Sequence, residues 1–153
     1  MNIIILILLA NFIPVNHDLL IEIELPTITV TTLSCETEQK ILLLAGLITA
    51  EADNQPVDGK IKVADVVFNR INSNKYPNTI DSVIMQNRQF AKFHGKRFIV
   101  NEESYKIAYK TYFKGPTSKY LGFLNPSIST NLTHVKWAVN RPGRYIGDHY
   151  FHI

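Results

Sequence analysis

Residues 41–70 read ILLLAGLITAEADNQPVDGKIKVADVVFNR, and the rest of the chain is arranged around them. A run of apolar residues leads to a single carboxylate, Glu51. A short polar turn follows, and then a second amphipathic segment ends in Asn69-Arg70. Apolar surroundings disfavour a charged carboxylate and let it hold a proton near neutral pH. A lone acid at the end of an oily helix therefore has the makings of a general acid. The same spacing also fits an acid that merely caps the solvent end of a core helix.

The flanking pattern is helical. Ile41, Leu44, Ala45, Leu47, Ile48 and Ala52 form a wide apolar face, which predicts a buried helix over about 38–52, capped by Ser34 or Thr37. Gln55-Pro56 breaks it, and Pro56 suits the start of a second helix over about 57–72. That helix buries Ile61, Ala64, Val67, Phe68 and Ile71, and it turns Lys60, Lys62 and Asp65 outward. Residues 75–78 form a turn before a short helix, capped by Asn78 or Thr79, that runs to about 86. Residues 87–97 (NRQFAKFHGKR) read as a basic, aromatic loop. Asn101 caps a helix over 102–114, with acids in its first turn, and Gly115-Pro116 stops it. Residues 120–153 read as loops with a few short strands.

The chain of 153 residues is long enough for one domain with a real core. Its single cysteine, Cys35, excludes an internal disulfide and a Cys-rich zinc site. Residues 1–39 carry a net charge of −5 and residues 40–153 a net charge of +8. A basic body favours an anionic polymer as partner: cell wall, nucleic acid or membrane headgroups. Residues 3–13 are almost wholly apolar, too few for a membrane span but suited to the core of an export signal. A buried strand or a hydrophobic N-terminal helix is the alternative. The expected organisation is a signal or hydrophobic segment at 1–15, an extended acidic spacer at 16–36 and the functional domain at 37–153.

Four ordered motifs carry a family likeness. The first is Glu51-Ala52 with Pro56, Gly59, Val63-Ala64, Val66-Val67 and Asn69-Arg70. The second is Tyr76-Pro77-Asn78-Thr79-Ile80 with Val83-Ile84 and Gln89-Phe90. Phe123-Leu124-Asn125-Pro126 and Ile146-Gly147-Asp148-His149-Tyr150-Phe151 complete the set. Together they resemble the cell-wall hydrolase family typified by the catalytic domain of spore cortex-lytic enzymes. The likeness covers about residues 38–152. Asp53-Asn54 stands where members usually have Arg-Gly, Asn87-Arg88 where a Pro-Gly is common, and Asp148 where Asn is usual.

The resemblance implies an α+β, mainly α, lysozyme-like domain with a small β element. It implies cleavage of peptidoglycan between N-acetylmuramic acid and N-acetylglucosamine by a lytic transglycosylase whose one essential acid maps onto Glu51. No cofactor or metal is needed for that route. An ordinary glycosidase needs a second carboxylate; Asp53, Asp58, Asp65, Asp81 and Asp148 are available, with Asp148 the best placed. Asn69, Tyr76, Phe90, Asn125, Asp148 and His149 are the candidate glycan-binding residues, and Trp137 is a further aromatic able to stack on sugar. Arg88, Lys92, Lys96 and Arg97 would attract wall anions. The expected protein is a secreted or wall-associated monomer acting on peptidoglycan, with no nucleic-acid partner and no stable membrane insertion. Two rivals stand beside this reading. A zinc amidase would use the H-x-x-H pair His149 and His152, although no H-E-x-x-H helix is present. A non-catalytic glycan or polyanion-binding module would use the basic and aromatic surface alone.

Overall fold

Ser34 begins the first helix: its Oγ accepts from the Thr37 backbone N at 3.2 Å, satisfying one of the free N–H groups of the first turn. The helix it starts, α1, spans Cys35–Ala52. The same device recurs down the chain in this computed structural model, which describes residues 33–87, 89–90 and 99–153. Helix α2 spans Val57–Ile71 and starts on Pro56. Thr79 caps α3 (Ile80–Ile84), and Asn101 caps α4 (Glu102–Lys114) through Oδ1 to the Ser104 N at 2.7 Å. Gly115, with φ +79°, ends α4, a backbone conformation that favours glycine. The apolar run at 1–15, most of the acidic spacer and the basic set Arg88, Lys92, Lys96 and Arg97 lie outside the described residues.

Helix α1 is the centre of the core. Ile41, Leu44, Leu47 and Ile48 are fully buried, and each such side chain contributes about 1.5–3 kcal/mol. They meet Val63, Ala64, Val66 and Val67 of α2, Val83 and Ile84 of α3, and Ile107 and Ala108 of α4. Helix α1 packs on α2, α3 and α4. Among the described residues no helix is long and apolar enough to cross a membrane.

The C-terminal third holds a three-stranded antiparallel sheet made of β1 (Gly122–Leu124), β2 (Gly143–Ile146) and β3 (His149–His152). Strand β3 lies in the middle, with Phe123 opposite Phe151 on one side and Ile146 opposite His149 on the other. The α+β, mainly α, arrangement is the one expected. A fifth helix, α5 (Leu132–Val139), was not: residues 120–153 read as loops and strands. Its β-branched Thr133, Val135 and Val139 disguise the pattern, while Asn131 caps it by accepting from the His134 N at 3.0 Å.

The outward face expected for α2 is also corrected. Lys60 and Lys62 are 7 % exposed and Asp65 is 0 % exposed. The polar stripe is covered by chain rather than water. Asp65 accepts from the Thr117 N (3.0 Å), the Thr117 Oγ1 (2.9 Å), the Ser118 Oγ (2.7 Å) and the Lys62 Nζ (3.3 Å). Lys60 pairs with Glu103 of α4. One turn further on, the Asn69 Nδ2 donates to the carbonyls of Ser118 and Tyr120, both at 2.9 Å, and the Arg70 Nε donates to the Leu121 carbonyl at 2.8 Å. Lys62, Asp65 and Asn69 lie at i, i+3 and i+7, one face of a helix, and together they clasp the segment that leads into β1.

Asn101 does double duty, since its Nδ2 also donates to the Asp53 Oδ1 at 2.7 Å. Asn101→Ala removes both the cap of α4 and this tie to the end of α1. The variant is expected to lose about 1–2 kcal/mol, read as a shift in urea midpoint at unchanged slope.

Candidate active site

Glu51 lies in the last turn of α1, half-buried, one turn beyond the buried Leu47 and Ile48. No basic residue shares that last turn, and Glu51 sits at the negative end of the helix dipole. The chain then turns through Asp53-Asn54-Gln55-Pro56 into α2. This turn is stapled to the β2–β3 turn. The Gln55 Oε1 accepts from the Asp148 backbone N at 2.9 Å, and the Gln55 Nε2 donates to the Asp148 Oδ2 at 3.1 Å. Gln55 is buried, so both bonds are largely shielded from water.

Gly147 makes the close approach possible. Its φ is +57°, the left-handed value a two-residue hairpin turn needs at its first position. A Cβ there would lie 2.3 Å from the Gln55 Oε1 and 2.7 Å from the Pro56 Cδ. Gly147→Ala is therefore expected to lower stability by about 1–3 kcal/mol and to break the Gln55–Asp148 pair, lowering activity more than the melting shift explains. Thermal unfolding and turnover measured on one preparation check this.

Beyond the staple, β3 places His149 on the inner face of the sheet. His149 is 7 % exposed, its ring 5.2 Å from Phe123 and 6.0 Å from Phe151. The α1 end bearing Glu51 and the Asp148-His149 start of β3 thus meet at one place through Gln55. Asn125 is half-buried and its Oδ1 accepts from the Ser127 N at 3.0 Å, fixing the bend after β1. Tyr76 is half-buried, its ring centroid 4.9 Å from the Arg70 guanidinium.

Two of the candidate glycan residues have partners within the fold. Phe90 is 2 % exposed, packed 6.3 Å from Phe123, so its ring belongs to the core and offers no face to a sugar. Asn69 spends its amide donor on the carbonyls of Ser118 and Tyr120, so it orders the chain before β1. The candidate second carboxylates are also distributed. Asp65 is enclosed by its four partners, Asp58 pairs with Arg144 at 3.0 Å, Asp53 accepts from Asn101, and Asp81 is exposed at the start of α3. Asp148 alone among these five hydrogen-bonds Gln55 in the turn that follows Glu51.

The H-x-x-H pair is split by the strand. Residues three apart in β3 point to opposite faces. His149 faces Phe123 and Phe151, whereas His152 meets Trp137 at 5.3 Å beneath α5. Among the described residues no group of three His, Cys, Asp or Glu side chains could hold a metal ion. Gln55 escaped the reading of the sequence, where it passed as part of a helix break.

The comparisons with known proteins agree with this architecture. The cell wall hydrolase family model matches residues 54–152, beginning three residues after Glu51. The chain is 33 % identical over 119 residues to the spore cortex-lytic enzyme of Bacillus cereus, covering 75 % of this chain and 44 % of that protein. With the spore cortex-lytic enzyme of Bacillus subtilis it shares 31 % over 115 residues, covering 72 % of this chain and 36 % of that protein. The chain therefore spans less than half the length of these curated relatives. It superimposes on the catalytic domain of the germination-specific lytic transglycosylase SleB from Bacillus anthracis with a TM-score of 0.62 and 29 % identity, covering 74 % of this chain and 93 % of that one. The catalytic domain of the Bacillus cereus SleB protein gives 0.63 and 28 %, covering 76 % and 91 %. A family match over most of the domain, on a fold shared with two catalytic domains, leaves one conclusion: the chain belongs to the cell wall hydrolase family.

Proposed function

We propose that this domain cleaves the glycan strands of peptidoglycan between N-acetylmuramic acid and N-acetylglucosamine as a lytic transglycosylase, with Glu51 as its acid and then its base. The observation that carries the reading is the position of Glu51: the last turn of the core helix, joined through Gln55 to the Asp148-His149 start of β3. Support also comes from the likeness to a catalytic domain described as a lytic transglycosylase.

The chemistry needs only one carboxyl group. Protonated Glu51 donates its proton to the glycosidic oxygen as the C1–O bond breaks. The oxocarbenium-like carbon that remains is attacked by the 6-hydroxyl of the same muramic acid. The Glu51 carboxylate takes the hydroxyl proton, which closes a 1,6-anhydro ring and restores the acid. No water is consumed. The protein acts on the wall outside the cytoplasm, as a monomer and without a cofactor, a nucleic-acid partner or stable membrane insertion.

Mass spectrometry of purified peptidoglycan after digestion tests this. Wild type is expected to release 1,6-anhydro-muropeptides, and Glu51→Gln to release none. Reducing sugar ends instead would mean that water is activated, with Asp148 the first carboxylate to suspect. Free stem peptides would replace the reading with an amidase, and binding without any cleavage would leave a glycan-binding module.

A further inference from the structure

At the β1 edge of the sheet, beside His152, lies a second site that the acid chemistry does not use. A polar cavity of about 300 Å³ opens between Arg70, Tyr76, Gly122, His134, Trp137 and His152. We propose that this cavity is a carboxylate-binding subsite for the peptide stem of the wall polymer, with the Arg70 guanidinium as its anchor; the proposal rests on the peptidoglycan reading above.

Arg70 carries the inference. It is 6 % exposed, yet its Nη1 is buried without a hydrogen-bond partner. Its Nε is held by the Leu121 carbonyl at 2.8 Å, and its charge rests over the rings of Tyr76 (4.9 Å) and Phe90 (5.3 Å). Among the described residues no carboxylate pairs with it. A buried guanidinium without a counter-charge is costly to desolvate, and a carboxylate is the partner whose two oxygens match its fork. Burial also holds the guanidinium below its ordinary pKa, a cost that an incoming anion relieves.

The surroundings suit a ligand. Gly122 sits opposite His152 in the sheet, and a Cβ on it would lie 2.6 Å from the His152 Cε1 and Nε2. The missing side chain is what lets the imidazole lie on the cavity floor. Burial lowers the pKa of His152, which keeps the ring neutral and able to hydrogen-bond at neutral pH. Trp137 is 50 % exposed at the rim, with His134 stacked on it at 5.4 Å. Phe123 lines the cavity and also touches His149, so the cavity and the Glu51 end of the sheet share a wall. His149 and His152 are three residues apart on one strand, about 10 Å. A stem peptide branching from a muramic acid held near Glu51 is within reach.

The experiment is an NMR titration of the full chain carrying Glu51→Gln, which leaves substrate uncut. The probes are an L-Ala–D-Glu–diaminopimelate–D-Ala tetrapeptide, the same peptide with every carboxyl amidated, N-acetylmuramic acid, and inorganic phosphate. The free-acid peptide is expected to shift the Trp137 indole and the His152 imidazole signals saturably. Amidation is expected to weaken binding by about tenfold or more. Saturable shifts with N-acetylmuramic acid but not the peptide would keep the carboxylate site and assign it to the lactyl group. Equal binding of acid and amide, no shift with either, or equal binding of phosphate would overturn the proposal. Arg70→Lys keeps the charge but loses the fork, and is expected to bind about tenfold more weakly when titrated well below its own melting transition. Loss of these shifts with anhydro products intact would sink the subsite alone. Full activity of Glu51→Gln would sink the acid assignment and leave the shifts standing.

Discussion

Glu51→Gln is expected to lower kcat on peptidoglycan by about 10³-fold or more while leaving the melting temperature within about 2 °C of wild type. The substitution preserves shape and hydrogen-bonding reach but removes the proton that the leaving oxygen must receive. Glu51 is half-buried in the last turn of α1, and glutamine there keeps the size and packing of the side chain. Turnover read as soluble muropeptide release, beside a thermal scan, separates the two effects. Asp148→Asn is the informative companion. Its backbone N still donates to Gln55, and an amide oxygen can accept from the Gln55 Nε2 as the carboxylate does. Under the one-acid mechanism this variant is expected to keep activity within about tenfold. A loss as large as that of Glu51→Gln would show that a second carboxylate takes part and that water is the acceptor.

Asp65→Ala is expected to be the most destabilising single change in the helical body. It strips the partners from Thr117 and Ser118 and leaves the Lys62 ammonium, 7 % exposed, with only Asp58 at 3.6 Å and the Thr117 hydroxyl. Removing one member of a buried pair in this way costs about 3–5 kcal/mol. In a domain of this size that is a fall in Tm on the order of 10 °C. Thr117→Val, which spares the charge pair, should cost only about 1 kcal/mol. Asp65 also holds the segment that Asn69 and Arg70 grip on its way into β1. Residual activity below the melting point should therefore fall as well. A change in Tm under about 2 °C would show that the 117–121 segment holds its place without Asp65.

Much of the helical frame is written in local pattern. The apolar spacing of α1, the caps Ser34, Thr79 and Asn101, and the stop at Gly115 each depend on residues within a few positions of one another, so their physics is present in the sequence. The motif around Glu51 was legible for the same reason, because an oily helix ending in one acid is a local arrangement. What the sequence hid was long-range. Lys62, Asp65 and Asn69 have the polarity of a solvated stripe, and only the return of residues 117–121 over α2 turns them into a buried clasp. Phe90 and Tyr76 carry aromatic rings of equal promise, and tertiary packing alone sends Phe90 into the core. Gln55 and Asp148, 93 positions apart, become partners only because Gly147 bends the hairpin against the α1–α2 turn. The strand periodicity of β3 separates His149 from His152, one toward the Glu51 end and one toward the Arg70 cavity. Sequence by itself determined the first four helices and which acid stands at the end of the central one, because those follow from nearest-neighbour chemistry, whereas α5 emerged only in the folded chain. Tertiary structure decided which polar groups lose water and which partners they gain, because burial is a property of the whole packed chain.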